Sequence, residues 1–330
     1  MTQRRVDVII AWLHRFWGAA ARLSRRRGWR VWARRGFATA AILLLTLPAI
    51  PVARAPQKRG GPSGAPPTAQ RTVPHGDERF LIVGLTQDLH RTDSIMVAQW
   101  DAAHGQARVL GIPRDIGVTI PGVGFTKLVH AYSTGGVGRT RAAVANLLHV
   151  PVAHYFVFSL PALRHLVDLV GGVSITVEKR MLYNDREQGL FIDLQPGPQV
   201  LDGAHAEQYL RFRNDPEGDI GRIRRQQRFL RAALQAIHRP AVWIRLPQVI
   251  SVVRTDLGTD LTNEQLLEWT FEVNHLGPDA ISAQTIEGHP ETLFDSEMRM
   301  PLSFWVPDIV DLRAKVRWLI TGELPPLPKP

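Results

Sequence analysis

Six arginines crowd the stretch YLRFRNDPEGDIGRIRRQQRFL, Tyr209 to Leu230, at positions 211, 213, 222, 224, 225 and 228, broken by Asp215, Glu217 and Asp219. A guanidinium is a rigid fork of N–H donors that matches phosphate oxygens, and several forks together can hold a diphosphate. Two further stretches share this character: RTDSIMV, with Arg91 and Asp93, and GIPRDIGVTIPGVGFTKL, with Arg114, Asp115 and Lys127. One Arg–Asp pair at a strand end is ordinarily a structural ion pair, and an arginine-rich helix is ordinarily a solvated face. Three such loops, with carboxylates able to hold a divalent metal between phosphates, point instead to phosphoryl chemistry. Such chemistry depends mostly on charge neutralisation and alignment. The chain has no cysteine, which excludes a thiol nucleophile and a Cys-based zinc site. It has no HExxH, Walker-type or GxSxG motif, and its twelve histidines show no metal-binding spacing.

The elements that must position these residues alternate between strand and helix. RFLIVGLT (79–86), DSIMVAQWDAA (93–103) and ARVLGIPRD (107–115) read as strands, the last two joined by the AAHGQ hairpin. Helical stretches follow near 127–134 and 139–149. Then come the strand HYFVFS, the amphipathic helix LPALRHLVDLVGG closed by Gly171-Gly172, and the strand VSITVEKRM. DGAHAEQYL is a short helix running into Arg211-Phe212-Arg213. Another helix is expected from Asp219 as N-cap, with an apolar stripe of Ile220, Ile223, Leu230, Leu234 and Ile237. Arg222 and Gln226, four apart, share a different face near its positive end, where free N–H groups favour an anion. Residues 240–277 read as helical, ISAQTIEG as a strand and WVPDIVDLRAKVRWLITG as a last helix. The pattern is α/β, a mixed central sheet sandwiched by helices, in one domain over 77–323.

Charge and hydropathy organise the rest. Residues 1–35 hold ten arginines and one acid, a net +9 of the chain's +10, so residues 36–330 carry only +1. Residues 36–53 are uncharged and long enough to cross a bilayer of roughly 30 Å as a helix. The expected topology is a basic cytoplasmic tail (1–35), a transmembrane helix (36–53), a Pro/Gly-rich linker (54–76) and an extracytoplasmic domain. A cleaved signal peptide ending near Ala53-Arg54-Ala55 is the rival reading, opposed by Pro56 and the long basic leader. A near-neutral domain opposes a nucleic-acid partner, because duplex binding draws on a basic field.

The ordered motifs resemble the LytR-CpsA-Psr family of envelope phosphotransferases. They are Gly84-Leu85-Thr86, Arg91 to Val97, Ile112 to Asp115, Ile120 to Gly122, Lys127 to Tyr132, Gly171 to Val173, Leu201 to Ala206, Arg211 to Arg213, and Asp219 to Gln226. The resemblance implies a membrane-anchored α/β/α enzyme. It would transfer a glycopolymer phosphate from a polyprenyl diphosphate carrier to a peptidoglycan hydroxyl in cell-wall assembly, with polyprenyl pyrophosphatase activity as a possible addition. It implies that Arg114, Arg211, Arg213 and Arg222 grip the diphosphate, with Asp219 and Asp115 orienting arginines or the metal. Arg91, Lys127 and Gln226 would lie against the substrate, and Asp93 and Thr86 would face a magnesium ion. Thr86 stands where many members place an aspartate, with Asp88 two residues on, so the metal site departs from the pattern. The prenyl tail is expected in an apolar tunnel walled in part by HYFVFSLPALRHLVDLV. The competing readings are a non-catalytic polyprenyl-phosphate- or glycan-binding envelope protein and a membrane-bound transcriptional attenuator.

Overall fold

The structure, a computed structural model, describes residues 78–186, 189–214, 218–277 and 279–324. The expected tail, span and linker all lie outside the described residues. Among the described residues no helix is long and apolar enough to cross a membrane.

Six strands form the central sheet: β1 (Arg79–Leu85), β2 (Thr92–Asp101), β3 (Gln106–Gly111), β6 (His154–Phe158), β11 (Gly258–Thr259) and β12 (Ile281–Thr285), in the order β11-β6-β1-β2-β3-β12. β1 runs antiparallel to β2 and parallel to β6, while β3 is antiparallel to β2 and parallel to β12. The sheet is therefore mixed, as the strand–helix alternation predicts. Successive side chains point to opposite faces, so these nearly continuous apolar runs feed two cores. Leu81, Val83, Ile95, Val97 and Leu110 face one layer, containing α1 (His130–Leu148) and α8 (Ile309–Thr321). Phe80, Met96, Trp100 and Val109 face the other, containing α4 (Gly218–Ala236), α6 (Leu246–Thr255) and α7 (Asn263–Asn274). On that second face Trp269 of α7 meets Phe80 edge-on at 4.7 Å and Trp100 at 5.4 Å.

A smaller core lies beyond β6. It joins α2 (Leu160–Leu169), α3 (Gly203–Arg211) and Phe229 of α4 to the strand pairs β7 (Val173–Val177) with β10 (Gly197–Leu201) and β8 (Met181–Asp185) with β9 (Leu190–Leu194). α2 starts where Ser159 accepts from the Ala162 amide and stops at Gly171 and Gly172, both at positive φ. α3 is capped by Asp202, which accepts from the His205 amide at 2.9 Å. The single strand expected at VSITVEKRM is thus two, since β7 ends at Val177 and β8 begins at Met181.

Further local expectations change, and the last helix starts at Ile309 rather than at Trp305. Lys127 ends strand β5 (Gly124–Lys127), hairpin partner of β4 (Gly117–Ile120), and is not helical. The two helical stretches around it are one helix, α1, kinked at Gly135 and Gly136. α4 begins at Gly218, so Asp219 lies inside its first turn rather than at the cap, with its carboxylate bonded to Arg222. The hairpin β13 (Gly288–Asp295) with β14 (Met300–Pro307) gives little sequence signal, because most of β13 is exposed and lacks apolar alternation.

Candidate functional site

Asp93 is the second residue of β2, just past the turn that follows β1. Three guanidinium groups from three different segments converge on its Oδ1: Arg114 Nη1 at 2.6 Å, Arg213 Nη2 at 2.8 Å and Arg222 Nη1 at 3.6 Å. Arg114 comes from the loop after β3, Arg213 from the chain after α3 and Arg222 from the first turns of α4. Asp219 accepts a close hydrogen bond from Arg222 Nη2 and lies 4.0 Å from Arg114 Nε. Three cations against two carboxylates leave the cluster with excess positive charge.

Arg222 is buried at 2% exposure. Burial lowers its pKa to about 10; Asp219 and Asp93 act in the opposite direction, while Arg213 and Arg114 add to the lowering. It stays charged at neutral pH, but at a cost that an arriving anion would relieve. Arg114 Nε, Arg222 Nε and Gln226 Oε1 are buried without a hydrogen-bond partner. Such groups are rare and call for an explanation, and a role in bonding a ligand is one.

The other expected residues border this cluster. Asp115 accepts from Lys127 Nζ at 2.9 Å and lies 3.9 Å from Arg114 Nε. Arg211 lines the same cavity, but its ion partner is Glu207 at 3.0 Å, on its own helix, and Glu207 also binds Arg164. Arg91 pairs with Asp88 at 3.6 Å in the turn before β2. Thr86 is turned into that same turn: its hydroxyl donates to Asp88, and it lies 3.0 Å from the Arg91 carbonyl and 3.2 Å from the Arg91 amide. The structure therefore brings Arg114, Arg213, Arg222, Asp93 and Asp219 into one constellation, with Arg211, Arg91, Lys127 and Gln226 on its rim.

Behind the constellation a cavity of about 1410 Å³ runs between the sheet and its α4, α6 and α7 cover. This exceeds the roughly 300–1,000 Å³ of ordinary small-molecule pockets. The charged groups gather at one part of its wall, while Ile82, Met96, Leu163, Leu234, Val253 and Trp269 make the remainder apolar. Phe156, Phe158, Leu166 and Val170, from the expected wall HYFVFSLPALRHLVDLV, line it as well. The arrangement suits an amphiphile with an anionic head and a long hydrocarbon tail.

Two residues important to the site escaped the sequence reading. Arg225, 1% exposed, donates to the Phe212 carbonyl at 2.6 Å and stacks over the Phe212 ring at 5.3 Å, so it fixes the segment between Arg211 and Arg213. Nothing in its spacing separated it from Arg224 and Arg228; only the smaller core that includes Phe212 does so. Glu207 was invisible for the converse reason, being a lone acid on a short helix.

Magnesium commonly takes one or two protein carboxylates together with substrate phosphates and water. Among the described residues no group of three His, Cys, Asp or Glu is placed to hold a metal. Asp93 fits as one carboxylate of such a shared site. Thr86 donates its hydroxyl proton to Asp88 and accepts from the Arg91 amide, so it has one lone pair of a neutral, weak ligand left to offer an ion.

The family model described as LytR_cpsA_psr matches residues 72–307. The regulatory protein MsrR of Staphylococcus aureus (strain COL) is 30% identical over 198 residues, 59% of this chain and 59% of that protein. The polyisoprenyl-teichoic acid–peptidoglycan teichoic acid transferase TagU of Bacillus anthracis (strain CDC 684 / NRRL 3495) is 29% identical over 184 residues, 55% of this chain and 59% of that protein. The matches thus span about 59% of the length of these curated relatives. Among solved structures, B. subtilis TagV superimposes with a TM-score of 0.64 at 21% identity, covering 75% of this chain and 98% of that one. TagT bound to LI-WTA superimposes with a TM-score of 0.61 at 21% identity, covering 76% and 95%. The fold is shared with these structures, and the chain belongs to the LytR-CpsA-Psr family.

Proposed function

We propose that the protein transfers a glycopolymer phosphate from a polyprenyl diphosphate carrier to a peptidoglycan hydroxyl. The observation that carries this reading is the meeting of Arg114, Arg213 and Arg222 at Asp93, on the wall of a cavity that is otherwise apolar. Cationic forks matched to a diphosphate next to a hydrocarbon-sized space suit a prenyl diphosphate better than a nucleotide or duplex. The name of TagU, a relative over more than half the chain, describes transfer from a polyisoprenyl carrier to peptidoglycan.

In this reading the three guanidiniums neutralise the diphosphate and the charge that develops on the departing prenyl phosphate. Asp93 and Asp219 hold the forks in place before the substrate arrives, which lowers the reorganisation needed at reaction. Arg211, Lys127 and Gln226 border the sugar side. Magnesium, held by Asp93 together with substrate oxygens, would supply further charge neutralisation. The domain acts outside the cytoplasmic membrane, tethered by residues 36–53, because the arginine block precedes the apolar stretch.

Thr86 favours one second reading, a non-catalytic binder of the same lipid, since a neutral hydroxyl with one lone pair left stands where many members place an aspartate. Full-length protein given a polyprenyl diphosphate-linked glycan and peptidoglycan separates the two. Transfer predicts glycan phosphate fixed to the acceptor and free polyprenyl phosphate in equal amounts. Tight lipid binding without either product selects the binder.

A further inference from the structure

His130 is the first residue of α1 and part of the wall of the cavity. It follows Val129, whose amide donates to the Arg114 carbonyl at 2.9 Å, so it is tied through the backbone to the arginine cluster. Its Nδ1 is 2.7 Å from the Thr126 hydroxyl and 3.7 Å from Asp295 Oδ2. Thr126, fully buried, is 2.9 Å from Asp295 Oδ2 and 3.1 Å from Oδ1. Asp295, fully buried at the end of β13, also accepts the amides of Glu297 at 3.0 Å and Met298 at 2.9 Å.

These bonds fix a proton arrangement. Burial pushes the Asp295 carboxyl up, but the Met298 amide, Thr126, His130 and the Glu297 amide outweigh it and hold it below the usual carboxylate range. An ionised carboxylate only accepts hydrogen bonds. The single proton of Thr126 therefore goes to Asp295, and Thr126 can only accept from His130. His130 must then carry its proton on Nδ1, which leaves a lone pair on Nε2. Among the described residues nothing bonds to that Nε2.

We propose that His130 is a catalytic base, its Nε2 taking the proton of the acceptor hydroxyl, with Thr126 and Asp295 as positioning residues. The inference rests on the phosphotransfer reading above. The hydroxyl oxygen bonds to the sugar-side phosphorus as its proton passes to Nε2. The bridging P–O bond breaks, and its electron pair leaves on the prenyl phosphate. The imidazolium then returns the proton to water. Burial lowers the His130 pKa, Asp295 opposes, Lys127 adds to the lowering, and Glu297 and Asp115 oppose; the net direction is down. The ring thus stays neutral, and able to accept, to a more acidic pH than an ordinary histidine.

Two measurements test this. The first is the ¹⁵N spectrum of histidine-labelled full-length protein, which needs no variant and no substrate. It is expected to show His130 protonated on Nδ1 above its pKa, and a proton on Nε2 instead would overturn the assignment. The second is the pH–rate profile of transfer. The wild-type rate is expected to fall on acidification only below the ordinary histidine value of about 6.5. His130→Gln is expected to lower kcat about a hundred- to ten-thousand-fold and to remove that acidic limb, with unchanged binding of a prenyl diphosphate. Thr126→Val is expected to lower kcat less, with a mixture of tautomers in the spectrum. Wild-type turnover and an unchanged profile in His130→Gln would overturn the role of His130 alone. Absence of transfer by the wild type would overturn the transferase reading and this role together.

Discussion

Asp93 sits among three guanidiniums that would otherwise repel one another, and that placement decides what substitutions do. Arg213 is about half exposed and makes its bond through one arm of a planar fork. Arg213→Lys retains the charge and loses the fork. Its transfer rate is expected to fall on the order of a hundredfold, nearly as far as in Arg213→Ala, with an unchanged thermal midpoint; a lysine variant at full rate would remove the clamp from the account. Arg225 should behave in the opposite way, because its guanidinium is buried under the Phe212 carbonyl rather than presented to the cavity. Arg225→Ala is expected to lose about 2–3 kcal/mol of stability in urea denaturation, and Arg228→Ala, at an exposed pair with Glu178, less than about 1 kcal/mol. The metal can be tested at this scale too. Asp93→Asn is expected to abolish magnesium-dependent turnover, and Thr86→Asp to lower the magnesium needed for half-maximal rate. Unchanged dependence in both variants would place the ion elsewhere.

At the scale of elements, the site is assembled by strand ends and helix starts that come from distant parts of the chain. α3 can deliver Arg211 and Glu207 only because it packs tightly on α2. A Cβ at Gly203 would lie 2.5 Å from the Arg164 carbonyl oxygen and 2.7 Å from its Cα. No side chain can yield there, so Gly203→Ala must push the helices apart. It is expected to cost about 1–3 kcal/mol and to lower transfer, whereas Gly105→Ala, at a turn with open space but positive φ, should cost about 1–2 kcal/mol of backbone strain and leave the transfer rate unchanged; calorimetry and rates on the same preparations check both. The sheet was legible because its strands are buried on both faces and read as apolar runs bounded by turns. The hairpins β8–β9 and β13–β14 were not, since exposed strands carry little periodicity. The arginine constellation was legible as residue types in ordered motifs. Arg225 was hidden because spacing along α4 cannot distinguish a buried guanidinium from a solvated one, and His130 because its meaning depends on Asp295, 165 positions away in the chain.

Over the whole molecule, the charged cluster and the apolar space form two parts of one cavity, on the α4, α6 and α7 face of the central sheet. The central claim is that a single amphiphile occupies both. Calorimetric titration with geranylgeranyl diphosphate, geranylgeraniol and inorganic diphosphate tests it most directly. The account predicts that the lipid diphosphate binds far more tightly than either fragment, that Arg114→Ala with Arg213→Ala reduces its affinity to about that of the alcohol, and that the alcohol is indifferent to both substitutions. Equal affinity for the alcohol and the lipid diphosphate in the wild-type protein would contradict it.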